Sequence, residues 1–187
     1  MKLNVGCGHN IIEGWTNLDW SPADGVDIVF DLETCRDNPI PLEDDSVDEF
    51  LISHVLEHIV NVLPLMEELY RIATPDAVCY VRVPDGASDT AWEDQTHVRA
   101  YHPGSFQYFE QPCYHIAPYR YSGDWKPETI QVVTKREYYL DLDDMPQALT
   151  TNRNLASEIL VILRAIKPAR PRDKSLKTPI RPIARFV

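Results

Sequence analysis

Apolar residues come in short runs separated by polar turns along most of this chain. "KLNV", "TNLDW" and "VDIVFDL" are brief and apolar in character, which predicts strands within residues 2–5, 16–20 and 26–32. "VDEFLIS" predicts a fourth strand at 47–53, running directly into "HVLEHI". In "LPLMEELYRIA" the period changes: Leu65, Leu69 and Ile72 recur at helical spacing, and Pro64 suits a first turn. Pro64 also argues against one unbroken helix from His54 to Ala73. "TPDA" reads as a turn into a fifth strand, "VCYVRVPDG". Two later strands are expected within "ETIQVVTKREYYLDL" and "EILVILRAIK". The aromatic, His-rich region between them is irregular apart from a helix near Ser105 to Glu110.

Short buried strands joined by crossovers predict an α/β fold, with a doubly wound, mostly parallel sheet covered on both faces. With 187 residues, 44% of them hydrophobic, one domain buries a sufficient core without disulfides or metals. Cys7, Cys35, Cys79 and Cys113 are scattered and form no CxxC pair, which points to reduced thiols rather than a disulfide framework or zinc ribbon. The chain passes from Lys2 straight into a strand, and no apolar run approaches about eighteen residues. A cytoplasmic protein without membrane insertion is therefore expected.

The net charge of -11 disfavours a broad nucleic-acid footprint. Charge is unevenly spread: from Lys167 onward seven basic residues face one acid, Asp173, so that the preceding 166 residues carry -17. Pro168, Pro171, Pro179 and Pro182 lie in the same stretch. The expectation is a main domain over 1–167 and a basic, Pro-rich tail over 168–187, extended or disordered and solvated.

Candidate chemistry begins at "VGCGHN". Gly6 permits a tight turn after the first strand, and Gly8 lets a ligand approach the backbone closely. A dinucleotide fingerprint needs a third glycine where Ile11 stands, so a pyrophosphate is poorly served and a smaller ligand is favoured. Asp19 ends the second strand and Asp31 the third, which brings both carboxylates to the same sheet edge. One can accept from ribose hydroxyls and the other from an exocyclic adenine amine. An adenine nucleoside is implied.

The series "LNVGCGHN", "GWTNLDW", "DIVFDL", "LEDDSVDEFLISHVLEHI" and "LMEELYRIATPDAVCYVRVPD", over residues 2 to 84, resembles the class I S-adenosylmethionine-dependent methyltransferases of the type 11 branch. The resemblance implies a Rossmann-like, mostly parallel seven-stranded sheet with an antiparallel last strand in "EILVILRAIK". It implies S-adenosylmethionine as cofactor, with Gly6, Cys7 and Gly8 near its amino-acid part and Asp19 on the ribose. Asp31 and Leu32 would read the adenine edge, and Ser53 with His54 would lie beside the methionyl group. The chain begins at strand one, without the helices that often precede it, so the His-rich region or a second subunit of a homo-oligomer is expected to cover the pocket.

His54 and His58 are four residues apart, a spacing that can put two imidazoles on one helix face. Glu57 is displaced from the metalloprotease position and Pro64 shortens the helix, so no metal is expected on that pair. His54 is instead a candidate general base at the transfer site, against a plain lining role. "THVRAYHPGSF" resembles a segment covering the acceptor side in this branch; His97 is a second catalytic candidate there, and Arg99 suits a carboxylate or phosphate. The amino-methylating "DPPY" pattern is absent and the Pro-Cys pair of "QPCY" lies too far along the chain for a base-modifying nucleophile. Methyl transfer to oxygen or nitrogen of a small-molecule acceptor is the expected activity. A binding or scaffold protein on the same fold and a nicotinamide-dependent oxidoreductase are the rivals, the latter opposed by Ile11.

Overall fold

The structure, a computed structural model, describes residues 1–117, 119–134 and 145–187. Its strands are β1 (Lys2–Val5), β2 (Thr16–Asp19), β3 (Ile28–Val29), β4 (Val47–Ser53), β5 (Ala73–Pro84), β6 (Trp125–Thr134), β7 (Ala156–Ala165) and β8 (Ile183–Phe186). They form one sheet in the order β3-β2-β1-β4-β5-β7-β6-β8. β1 to β5 pair in parallel, β7 inserts antiparallel between β5 and β6, and β8 pairs parallel to β6. Strand order reverses at β1, which lies between β2 and β4, and that reversal creates the crevice at the carboxyl ends of the strands.

Helix α1 (Val62–Ile72) follows the predicted period and buries Leu65, Met66, Leu69 and Ile72 completely. Each such side chain contributes about 1.5–3 kcal/mol relative to exposure. Trp125 locks the helix to the sheet: its indole donates to the Met66 carbonyl at 2.9 Å and its ring meets Phe50 edge-on at 5.6 Å. β5 starts at the residue after α1, without the separate turn expected of "TPDA". Pro75 explains the stop, because the residue before a proline is driven from the helical region. Asp76 takes a φ of 63° within the strand and absorbs the bend there.

Two short helices, α2 (Thr90–Glu93) and α3 (Met145–Thr151), and a 3-10 helix over Pro103–Phe109 complete the regular elements used below. The strand expected within "ETIQVVTKREYYLDL" is part of β6, and residues 135–142 of that stretch lie outside the described residues. Among the described residues no helix is long and apolar enough to cross a membrane.

Three expectations are corrected. No α-helix forms before α1, so the connections from β1 to β4 are loops with one 3-10 turn at Leu32–Thr34. The 6–15 loop is instead pinned to the sheet by a buried amide pair, in which Asn4 Nδ2 donates to Asn17 Oδ1 and to the Asn10 carbonyl. Among the described residues part of one sheet face is left open: Leu51, Tyr80 and Ile162 stand abreast there, and Tyr80 is exposed.

The seven-stranded sheet gains an eighth strand, because the basic tail is docked rather than extended into solvent. Arg170 donates to both oxygens of Asp124 at 2.7 and 2.8 Å and to Glu110 at 3.0 Å, and both carboxylates are fully buried. Thr178 adds its amide and hydroxyl to Glu110. Two buried acids need a cation. The tail's charge, read as solvation, is what satisfies them.

Candidate functional site

The crevice at the reversal is built from the ends of β1, β2, β3 and β4. Gly6 leaves β1 with a φ of 64°, and a Cβ there would lie 2.5 Å from Val55 Cγ2, so only glycine fits without displacement. The Cys7 amide donates to the Leu18 carbonyl, which carries the β1–β2 ladder into the turn. The Gly8 amide then donates to Asp19 Oδ2 at 2.8 Å, and the Ser21 amide donates to Oδ1 at 3.0 Å. The Asp19 carboxylate, 7% exposed, is thereby fixed with acceptor capacity left on each oxygen.

β3 is shorter than predicted, so Asp31 lies beyond the strand and accepts the Glu33 amide at 3.0 Å as a helix cap. Leu32 is buried beside it. At the end of β4, His54 takes a left-handed φ of 55°. Its Nδ1 lies 3.2 Å from Glu57 Oε1 and its Nε2 lies 3.2 Å from Glu158 Oε1. The hydrogen bond to Glu57 raises the imidazole pKa above its usual value, against the opposing pull of partial burial, and the Glu158 charge adds to the rise. Both ring nitrogens are engaged, which favours an imidazolium over a free base.

A cavity of about 430 Å3 opens among these elements, a size suited to a small ligand. Of the residues singled out in the sequence, Gly6, Asp19, Asp31, Leu32 and His54 line it. Trp20, Val55, His58, Ile59 and Thr96 also line it and were not foreseen as cofactor-binding residues. Trp20 follows Asp19 directly, and Val55 to Ile59 continue from His54, so local adjacency could have found them. Thr96 comes from a distant loop and carried no such signal.

Cys7, Gly8 and Ser53 do not line this cavity. Cys7 is buried in the turn, and desolvation raises its thiol pKa. Gly8 acts through Asp19, while Ser53 pairs with Arg82 in the β4–β5 ladder. His97 is also absent from the lining: its Nδ1 lies 3.1 Å from the Ala91 carbonyl and its ring stacks edge-on against His58 at 4.8 Å. Arg99 donates to the Val60 carbonyl at 2.9 Å and lines a separate aromatic hollow of about 620 Å3 with Tyr101, Tyr108 and Tyr114. That hollow contains no residue from the strand ends at the reversal.

A sheet with β7 alone antiparallel, reversing at β1 where a glycine turn is bonded to the acid that ends β2, defines the Rossmann-like fold of class I methyltransferases. Residues 3–81 match the type 11 family described as "Methyltransferase domain". Among curated proteins none matches. Solved structures agree on the fold. A SAM-dependent methyltransferase from Archaeoglobus fulgidus superimposes with a TM-score of 0.57 at 17% identity, covering 87% of this chain and 85% of that one. A putative methyltransferase from Bacillus halodurans gives 0.56 at 11% identity, over 87% and 91% of the two chains. A Haloferax volcanii putative methyltransferase in complex with the Trm112 methyltransferase activator gives 0.52 at 13% identity, over 88% and 82%.

The donor set fits the cofactor S-adenosylmethionine. A fixed carboxylate suits vicinal hydroxyls, an acid beside a buried leucine suits a flat base with an exocyclic amine, and Gly6 keeps side-chain bulk out of the turn.

Proposed function

We propose that the protein methylates a hydroxyl or amine of a small-molecule acceptor at the 430 Å3 cavity. The observation that carries this reading is the Asp19 carboxylate, held by the Gly8 and Ser21 amides and facing that cavity. In this reading Asp19 accepts the ribose hydroxyls, Asp31 and Leu32 receive the adenine, and the Gly6–Gly8 turn faces the amino-acid end. His54 lies at the methyl-transfer end. S-adenosylmethionine supplies a methyl group on a positively charged sulfur, so the protein's task is placement rather than strong acid catalysis.

His54, braced between Glu57 and Glu158, serves as an orienting group in this scheme. His97 acts at one remove, by supporting the Thr96 wall rather than touching the acceptor. The proton released from a hydroxyl acceptor, or from the ammonium formed when a neutral amine is methylated, passes to solvent at the open rim, where Trp20 is 76% exposed. The four cysteines are unpaired, which is compatible with a reducing, cytoplasmic setting.

Transfer of label from methyl-labelled S-adenosylmethionine tests the acceptor class. A panel of small alcohols, phenols and amines is run against oligonucleotides and peptides. Label entering small molecules alone is expected, and label entering nucleic acid or peptide overturns the reading.

A further inference from the structure

Glu57 is 1% exposed, and its Oε1 meets His54 while its Oε2 has no hydrogen-bond partner among the described residues. A buried carboxylate oxygen without a donor costs free energy, so a counter-charge is called for at that atom. Two imidazoles stand beside this carboxylate. One ligand atom each from Glu57, His58 and His97 lie within 4.8 Å of one another. On the far side, Asp94 Oδ2 lies 3.8 Å from His97 Nε2.

Neighbouring hydrogen bonds orient both rings as ligands. His97 Nδ1 faces the Ala91 carbonyl at 3.1 Å, so it carries the proton and leaves the Nε2 lone pair free. His58 Nδ1 faces the Thr96 carbonyl at 3.3 Å and the Thr96 hydroxyl at 3.0 Å, while that hydroxyl donates to Asp94. Nδ1 is again the donor, and Nε2 is again the free acceptor. Two imidazoles and one carboxylate suit a first-row divalent ion such as zinc, with metal–nitrogen distances of about 2.0–2.1 Å.

We propose that Glu57, His58 and His97 bind one zinc-type divalent cation. The sequence spacing drew attention to His54 with His58; the fold pairs His58 with His97 instead. The site joins the β4–α1 connection to the 94–99 loop, where the Val98 and Arg99 amides already donate to the Glu57 carbonyl. Since His58 and Thr96 both line the cofactor cavity, the ion would hold that wall in place. The proposal concerns cation binding and stands apart from the identity of the acceptor.

The test is calorimetric titration of the chelator-treated full chain with zinc chloride, with thermal melting followed in parallel. One zinc per chain at micromolar affinity and a melting temperature raised by zinc are expected. His97→Ala and the isosteric Glu57→Gln should each weaken binding at least tenfold while circular dichroism shows an intact fold. If His97→Ala does not fold, Glu57→Gln decides alone. No stoichiometric binding by the wild type overturns the proposal, as does unchanged zinc affinity in a folded Glu57→Gln.

Discussion

The Gly8 amide and the Asp19 carboxylate meet at 2.8 Å, which joins the first turn of the chain to the end of the second strand. The same carboxylate is the acceptor proposed for the ribose, which would make turn geometry and ligand recognition share one side chain. Asp19→Ala removes both, and affinity for S-adenosylmethionine should fall by about 1.5–3 kcal/mol, the worth of hydrogen bonds to a charged group. Equilibrium dialysis against wild type checks it; equal affinity would remove Asp19 from the site.

Gly6→Ala places a methyl group 2.5 Å from Val55 Cγ2 on a backbone already left-handed. Strain and overpacking together should lower unfolding free energy by about 2–4 kcal/mol. Because the clash is with one side chain, adding Val55→Ala should recover part of the loss. Urea unfolding of the two variants measures this, and a Gly6→Ala protein as stable as wild type would contradict the close approach.

The docked tail predicts that Arg170→Ala destabilises the protein by about 3–5 kcal/mol, since Asp124 and Glu110 are left buried without their cation. A solvated tail predicts no change. Thermal melting separates the two.

Asp85 is 4% exposed, and burial raises its carboxyl pKa against the opposing hydrogen bond from the Ala87 amide. A raised folded pKa means that the ionised form is disfavoured on folding, so the associated stability is present at low pH and is lost as pH rises through the folded pKa. Asp85→Asn keeps an acceptor for Ala87 and carries no charge. It should melt higher than wild type near neutrality, with the gap closing toward about pH 4. A gap that widens on acidification would reverse the assigned sign.

Much of the fold is legible in the sequence because its signals are local. β1, β4 and α1 declare themselves by apolar run length and by period, and the strand ends place Gly6, Asp19 and His54 in one crevice. What stays hidden depends on distant partners. The tail's arginines read as solvated until Asp124 and Glu110 are seen buried beneath them. Thr96 and His97 reach the β4–α1 connection only because the 94–99 loop folds back onto Glu57. The missing crossover helices are likewise a tertiary matter: Asn4 and Asn17 hold a loop on the sheet where apolar positions would have seated a helix.

The central claim, that this crevice is a working S-adenosylmethionine site, is tested most directly by calorimetric titration with S-adenosylmethionine and, separately, S-adenosylhomocysteine. The account predicts micromolar binding of both, one per chain. Failure of a folded wild-type protein to bind either would contradict it.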